Sequence, residues 1–381
     1  MYLFIGVLLV ILSIIELANK GRITDKLFKA SWLLLTLVLC FRFGQGTDYF
    51  GYWWHYNSVE VSGSYFVNQL SHGELGWYIL SLLFVKLNLP FTFFVGFIAL
   101  VSMLLIYIAI NKHVKNKILC LLLFYPEAYL TYCCSGMRQG LVLCFFLAFM
   151  IDMLLKKQYI RYCILSFLMM QFHVASIVLL FVPLFVQMKI KVSPIWLVLA
   201  PIFSVVLYAS GMVASMTSSV GSSDKYAEGA FSFLGLILRV VLFCIIYIMY
   251  KPDVDKKTDI MFDVYHCGFL IYLALFLSSI LSQRLTLPLK SVEIILIPTL
   301  IYSNPEYLKR NIKSIKPKFA WLSFSIIVIM VVMFTKNLNS YIKQGGYPDK
   351  VTILNYPYVS VFNANEIYKY RTVRYIDVLQ D

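Results

Sequence analysis

The sequence predicts an all-α, polytopic integral membrane protein. Of its 381 residues 60% are hydrophobic and only 14% charged, and the mean hydropathy is +0.78, whereas a soluble domain carries about 25% charged residues. The apolar residues gather in blocks of spanning length, which is roughly 20 residues for a helix. The blocks alternate with short polar breaks, not residue by residue, so helices and not barrel strands satisfy the backbone in lipid.

In chain order the expected spans, about twelve, are residues 2–18, 28–43, 90–110, 118–133, 137–155, 160–172, 174–187, 194–210, 231–250, 260–281, 285–302 and 319–336. Residues 2–18 do not read as a signal peptide: no basic residue precedes them and no small-residue cleavage site follows. The apolar run 75–88 lies within a polar, aromatic stretch. As a helix it is about 21 Å long at 1.5 Å per residue, short of the roughly 30 Å hydrocarbon core, and it is expected to be re-entrant or interfacial. Several later blocks are short enough to suggest broken or tilted helices. The organisation is thus a transmembrane domain, 1–336, with extracytoplasmic loops 44–89 and 211–230, followed by a tyrosine-rich tail, 337–381.

Lysine and arginine in the short loops set the orientation. Basic clusters in alternate breaks (Lys20 to Lys29, Lys112 to Lys117, Lys156 to Arg161, Lys189 and Lys191, Lys251 to Lys257, Lys309 to Lys318) are placed in the cytoplasm. Residues 43–85 hold no Lys or Arg and 211–229 hold one, so these segments face outward. By parity the tail is also outside, although it carries Lys343, Lys350, Lys369, Arg371 and Arg374. The net charge of +14 then belongs to loops facing anionic lipid, and no nucleic acid is implied. The eight cysteines show no metal-ligand spacing.

In this topology Arg42, Arg138, His173, Arg239 and Arg284 fall in or beside apolar blocks, toward the outer side. A charge at mid-bilayer costs at least about 2.5–3.5 kcal/mol. Singly, each arginine is explained by snorkelling or a structural ion pair. Together they point to an anion, and the guanidinium fork suits diphosphate. Outer carboxylates are Asp48, Glu60, Glu74, Glu127, Asp224 and Glu228, while Glu293 stands at helical ion-pair spacing from Lys290. Tyr49, Tyr52, Trp53, Trp54, His55 and Tyr56 form either an interfacial belt or a stacking surface for sugar rings. Asp253-Val254-Asp255 is a D-x-D, but on the inner side, and reads as a solvated loop.

Arg42-Phe43-Gly44-Gln45-Gly46-Thr47-Asp48-Tyr49, followed by Tyr52, resembles the first motif of EpsG-like polysaccharide polymerases. Glu74-Leu75-Gly76-Trp77 resembles the family's Glu-x-Gly-aromatic element, and Arg138-Gln139-Gly140 its Arg-Gln helix start, with Leu141 where a small residue is more usual. Phe172-His173-Val174-Ala175-Ser176 resembles its Phe-His-x-Ser element with one extra residue. Arg239 and Arg284 match isolated arginines in later spans. The resemblance covers about residues 35–300 and points to the Wzy-type polymerases of bacterial capsule, exopolysaccharide and O-antigen assembly.

The resemblance implies a multi-pass enzyme of the bacterial cytoplasmic (inner) membrane with an outward-facing site. It would move a growing glycan from an undecaprenyl-diphosphate carrier to a lipid-linked repeat unit, with membrane lipid and a chain-length regulator as partners. Arg42, Arg138, Gln139, Arg239, Arg284, Tyr49 and Tyr52 are the expected substrate contacts. His173, Asp48 and Glu74 are the candidate general bases, His173 favoured because its ordinary pKa lies near neutrality. No metal and no cofactor are called for. The alternative is a transporter or flippase of lipid-linked oligosaccharide, for which inverted repeats and charges through the membrane's depth would be usual; no repeat is visible in the sequence.

Overall fold

An apolar run deprived of water closes its backbone bonds internally, and helices form where those runs occur. The computed structural model describes residues 1–19, 25–65, 74–115, 117–188, 194–212, 232–252, 255–303 and 317–371. The helices are α1 (Tyr2–Ala18), α2 (Asp25–Cys40), α3 (Tyr49–Tyr65), α4 (Leu75–Lys86), α5 (Phe91–His113), α6 (Ile118–Cys133), α7 (Met137–Leu155), α8 (Tyr159–Met170), α9 (Val174–Met188), α10 (Pro194–Ala209), α11 (Phe233–Met249), α12 (Lys256–Ala274), α13 (Ser279–Lys290), α14 (Glu293–Ser303) and α15 (Pro317–Gln344). A 3-10 turn, Val361–Glu366, leads into the short α16 (Ile367–Tyr370). No strand forms among the described residues; an isolated backbone bridge pairs Arg42 with Ser360.

The architecture centres on α6. Its residues from Ile118 to Phe124 are buried on every side, as suits a helix that is apolar all round, and α1, α2, α7, α14 and α15 pack about it. Its amino end meets buried Glu16 of α1, whose carboxylate accepts the N–H groups of Lys117 (3.0 Å), Ile118 (3.2 Å) and Leu119 (2.9 Å). Those are donors a helix start leaves unpaired, and a negative charge suits that end of the dipole. From Tyr125 to Cys133 the helix widens into π geometry, a form that often marks functional segments.

The carboxyl end of α6 is met by Arg42. Its Nε and Nη2 donate to the carbonyls of Cys134 and Cys133, both at 3.2 Å, and its Nη1 donates to Leu39 of α2 at 2.5 Å. Arg42 is 1% exposed. It clasps the carboxyl ends of α2 and α6, where the dipoles favour a cation. The donors of Arg42, an expected substrate contact, are directed here at protein carbonyls, which in a dry interior need a partner as much as the guanidinium does.

The outer helices turn Phe4, Ile160, Phe167, Val198, Phe233 and Trp321 outward, each more than half exposed. Extended apolar surface of this kind is rare on water-soluble monomers and fits contact with lipid. Among the described residues α5, α7 and residues Trp321–Gln344 of α15 are long and apolar enough to cross a membrane; the bent pair Leu281–Lys290 and Glu293–Tyr302, inclined at 42°, adds a fourth if it is one span. The other apolar helices have 10–17 residues, about 15–26 Å at 1.5 Å per residue. Among the described residues a few long helices thus stand among many short ones, and the lengths alone do not establish the twelve expected crossings.

Other boundaries also differ. The segment 44–89 read as a loop, yet α3 forms within it: Tyr49, Tyr52, Tyr56 and Val59 are buried at helical spacing on one face. The expected short helix 75–88 corresponds to α4, which stops before Asn88 at φ 53°. The expected span 285–302 is interrupted at Ser291 and Val292. Chain 345–371 folds back onto the end of α2 through Phe43 N–H to Val359 O and Val361 N–H to Phe41 O, both 2.9 Å. Asp255 caps α12, accepting from the N–H groups of Lys257 and Thr258 at 3.3 Å each. Asp253, Asp224, Glu228, most of the 211–230 loop and the side chain of Glu60 lie outside the described residues.

Removing the Arg42 fork strands three carbonyls, at about 1–3 kcal/mol for each buried polar group left unpaired. Arg42→Ala is expected to lose the folded, monodisperse species in detergent, read by size-exclusion chromatography and thermal midpoint. A substrate ligand would leave both unchanged.

Candidate functional site

The site forms where two helix starts are pinned together. Gly76, at the beginning of α4, lies so close to the turn between α8 and α9 that a Cβ there would stand 3.0 Å from the Gln171 Cβ and 3.1 Å from its carbonyl oxygen. Trp77 N–H donates to that same carbonyl at 3.2 Å. Glycine permits this approach without displacing the turn, whereas any side chain would press on it by a few tenths of an ångström. It brings Glu74, which precedes α4, against His173, which precedes α9.

Glu74 is 2% exposed. Its Oε1 accepts from Val174 N–H at 3.0 Å and lies 3.1 Å from His173 Nδ1; its Oε2 accepts from Arg138 Nη1. An ionised carboxylate only accepts, so Nδ1 carries the proton and the neutral ring keeps its lone pair on Nε2. That Nε2 is buried with no hydrogen-bond partner among the described residues. Arg138 Nε donates to the Tyr52 hydroxyl at 3.3 Å, and the guanidinium stands 5.3 Å from the Tyr52 ring centroid. Tyr52 in turn packs on Trp77, with ring centroids 5.4 Å apart. The Arg138 side chain is 19% exposed against 2% for Glu74, so Arg138 is the more accessible charge of the pair.

Burial pushes the Glu74 carboxyl upward. The His173 bond, the Arg138 charge and the Val174 N–H outweigh it and hold Glu74 below the usual carboxylate value. Burial pushes the His173 imidazole down, Glu74 pulls it back in part, and it settles below its ordinary value. At neutral pH the site therefore holds an anionic Glu74 and a neutral His173.

Asp48 and Tyr52 reach this cluster from the 44–48 loop and α3. The loop is fastened to the turn after α6: Thr47 Oγ1 and Ser135 Oγ lie 2.7 Å apart, and Asp48 N–H donates to Ser135 Oγ at 3.2 Å. Asp48 is exposed and stands within electrostatic reach of Arg138 and Tyr52. Half-buried Arg284, on α13, acts through space on His173. Gln139 follows Arg138, and its Oε1 is buried with no hydrogen-bond partner among the described residues.

Two further expected contacts stand apart. Tyr49 is a core residue, 1% exposed, with Phe43, Phe50 and Phe91 rings at 5.6, 5.4 and 5.3 Å; its position on the buried face of α3 removes it from the site surface. Arg239 belongs to a separate buried network. Its Nη1 donates to Glu293 at 3.0 and 2.8 Å, its Nη2 pairs with Glu127, and Lys290 lies 3.5 Å from Glu127. At 6% exposure its counter-charge comes from the protein, as a buried cation requires. Lys290 and Glu293, read from their spacing as a pair with each other, stand on opposite sides of the break between α13 and α14, and they are bridged instead to Glu127 and Arg239.

Ser135 and Arg371 were not singled out from the sequence. Ser135 follows Cys133-Cys134 with no motif to mark it, and Arg371 stands among other tail cations. No group of three or more His, Cys, Asp or Glu suited to a metal gathers among the described residues.

Comparison with known families matches residues 26–367 to the EpsG family. No curated protein and no solved structure matches the chain. The match takes in the 44–48 loop, Glu74, Arg138 and His173 along with nearly all the helices described, and on that extent the chain belongs to the EpsG family, a family of exopolysaccharide and Wzy-like polymerases.

Proposed function

We propose that this protein is a polysaccharide polymerase that transfers a growing glycan from a polyprenyl-diphosphate carrier, undecaprenyl in bacteria, to a lipid-linked repeat unit at the outer face of the cytoplasmic membrane. The observation that carries the reading is the Glu74–His173 pair beside Arg138. It presents a neutral imidazole nitrogen with a free lone pair next to a guanidinium. Family membership supports a polymerase-like activity, and the loop-charge asymmetry of the sequence supports the outward orientation.

The residues divide the chemistry as follows. His173 Nε2 takes the proton from an acceptor hydroxyl as its oxygen attacks the anomeric carbon. The bond from that carbon to the phosphate oxygen breaks, and the electron pair leaves with the carrier diphosphate. Glu74 holds Nδ1–H and stabilises the imidazolium that forms, the role a carboxylate plays behind any general-base histidine. Arg138 makes no hydrogen bond through Nη2 among the described residues, so that nitrogen is assigned to the departing diphosphate. Arg284 adds positive charge nearby. Placing fixed cations where negative charge develops is often the largest single contribution to a rate enhancement. Exposed Asp48, with Gln139 and Tyr52, is assigned to the sugar hydroxyls.

Loss of a positioned general base typically lowers rate about 10²–10⁴-fold. His173→Ala and Arg138→Ala, expressed to wild-type level, are expected to leave cells with single repeat units in place of long polymer, read by gel profile of extracted glycan. Long-chain polymer from either variant would sink the assignment. In a purified assay kcat/KM is expected to be level through neutral pH and to fall only on acidification below about 6.5, the ordinary histidine value, because the base works when neutral and burial lowers its pKa. Glu74 supports the protonated ring, so Glu74→Gln should move the acid limb to still lower pH while reducing the plateau. An acid limb that shifts upward would contradict the assigned pairing.

A further inference from the structure

The Gly44–Thr47 loop turns its carbonyls toward one point. Gly44 at φ +63° and Gly46 at φ +102° adopt backbone open to glycine, and the result is a small nest of acceptors. The end of the described chain fills it. Arg371 Nη1 donates to Gly44 O at 2.6 Å and Gly46 O at 2.7 Å, and Nη2 to Thr47 O at 3.4 Å. The guanidinium is 5.2 Å from the Phe50 ring centroid and 5.9 Å from that of Tyr347, and the residue is 8% exposed. Ile367, wholly buried, seats over Gly44 so closely that a Cβ there would lie 2.6 Å from its Cγ1.

The next residue after this loop is Asp48. Its backbone is tied on one side to Ser135, and on the other the loop carrying it is held by Arg371. We propose that residues 345–371 act as a strap setting the geometry of the 44–48 loop, with Arg371 the positioning residue for Asp48; this rests on the polymerase reading above. Arg371 lies beyond the residues matched to the family, and it acts through the loop without touching the Arg138–Glu74–His173 cluster in any hydrogen bond. Charge-assisted bonds from one planar fork to three carbonyls fix the loop more tightly than neutral contacts do. A displacement of about 1 Å in a positioned group costs up to about 10²-fold in rate.

The test uses the full chain, purified and reconstituted, with a lipid-linked repeat unit as substrate. Arg371→Ala is expected to lower kcat/KM about 10–100-fold, and added methylguanidinium should restore part of the loss while leaving the wild type unaffected. Combining Arg371→Ala with Asp48→Asn should cost no more than Asp48→Asn alone, since both act on one group. Wild-type kcat/KM in Arg371→Ala, or a loss that methylguanidinium does not restore and that adds fully to Asp48→Asn, would overturn the proposal. If Arg371→Ala does not fold, Arg371→Lys carries the same comparison, because it keeps the charge and loses the fork. Absence of polymer from the wild-type protein would overturn the polymerase reading itself; normal wild-type polymer with an unimpaired Arg371 variant would overturn the strap alone.

Discussion

A carboxylate buried to 2% exposure has to be met by positive charge or donors, and Glu74 is met by three groups from two other parts of the chain. The Val174 N–H is the start of α9, His173 is the residue before it, and Arg138 opens α7. Leaving any of these unmade would cost more than a surface contact, because nearby water is not available to replace it. The same set of bonds therefore fixes the positions of α4, α7 and α9 relative to one another and selects the tautomer of His173.

The buried arginines show that the same side chain finds different partners. Arg42 and Arg371 read backbone carbonyls, one at helix ends and one at a glycine loop. Arg239 is neutralised by Glu127 and Glu293. Arg138 is bound to Glu74 and Tyr52 on one side and keeps part of its side chain exposed. Burial obliges every guanidinium to find acceptors, and a ligand can be served only where the protein's own acceptors do not take all of the fork. On that criterion Arg138 is the arginine best suited to an anion.

The fold class was legible because hydropathy accumulates locally: each apolar block announces its own helix. What was not legible depends on partners far along the chain. The break at Ser291 and Val292 places Lys290 and Glu293 against Glu127 and Arg239, groups supplied by α6 and α11. Helix α3 was hidden because its buried face is aromatic and its other residues polar, so mean hydropathy stayed low although the spacing of Tyr49, Tyr52 and Tyr56 is helical. Glu74, Arg138 and His173 were visible as separate motifs, but nothing in their separation along the chain says that they touch. Two of the candidate bases, Glu74 and His173, turn out to be hydrogen-bonded to each other. Arg371 sat in a tyrosine-rich tail where its neighbours are also basic, and the convergence of three loop carbonyls on it is a property of the folded backbone alone.

Whether Glu74 and His173 work as one unit is addressed directly by a double-mutant cycle. Single-turnover transfer by purified, reconstituted protein would be measured for Glu74→Gln, His173→Ala and the pair, with folding checked by thermal midpoint. Residues that act through a common step are strongly non-additive, so the account predicts that the double variant transfers no more slowly than His173→Ala alone. Losses that multiply in the double variant would contradict it.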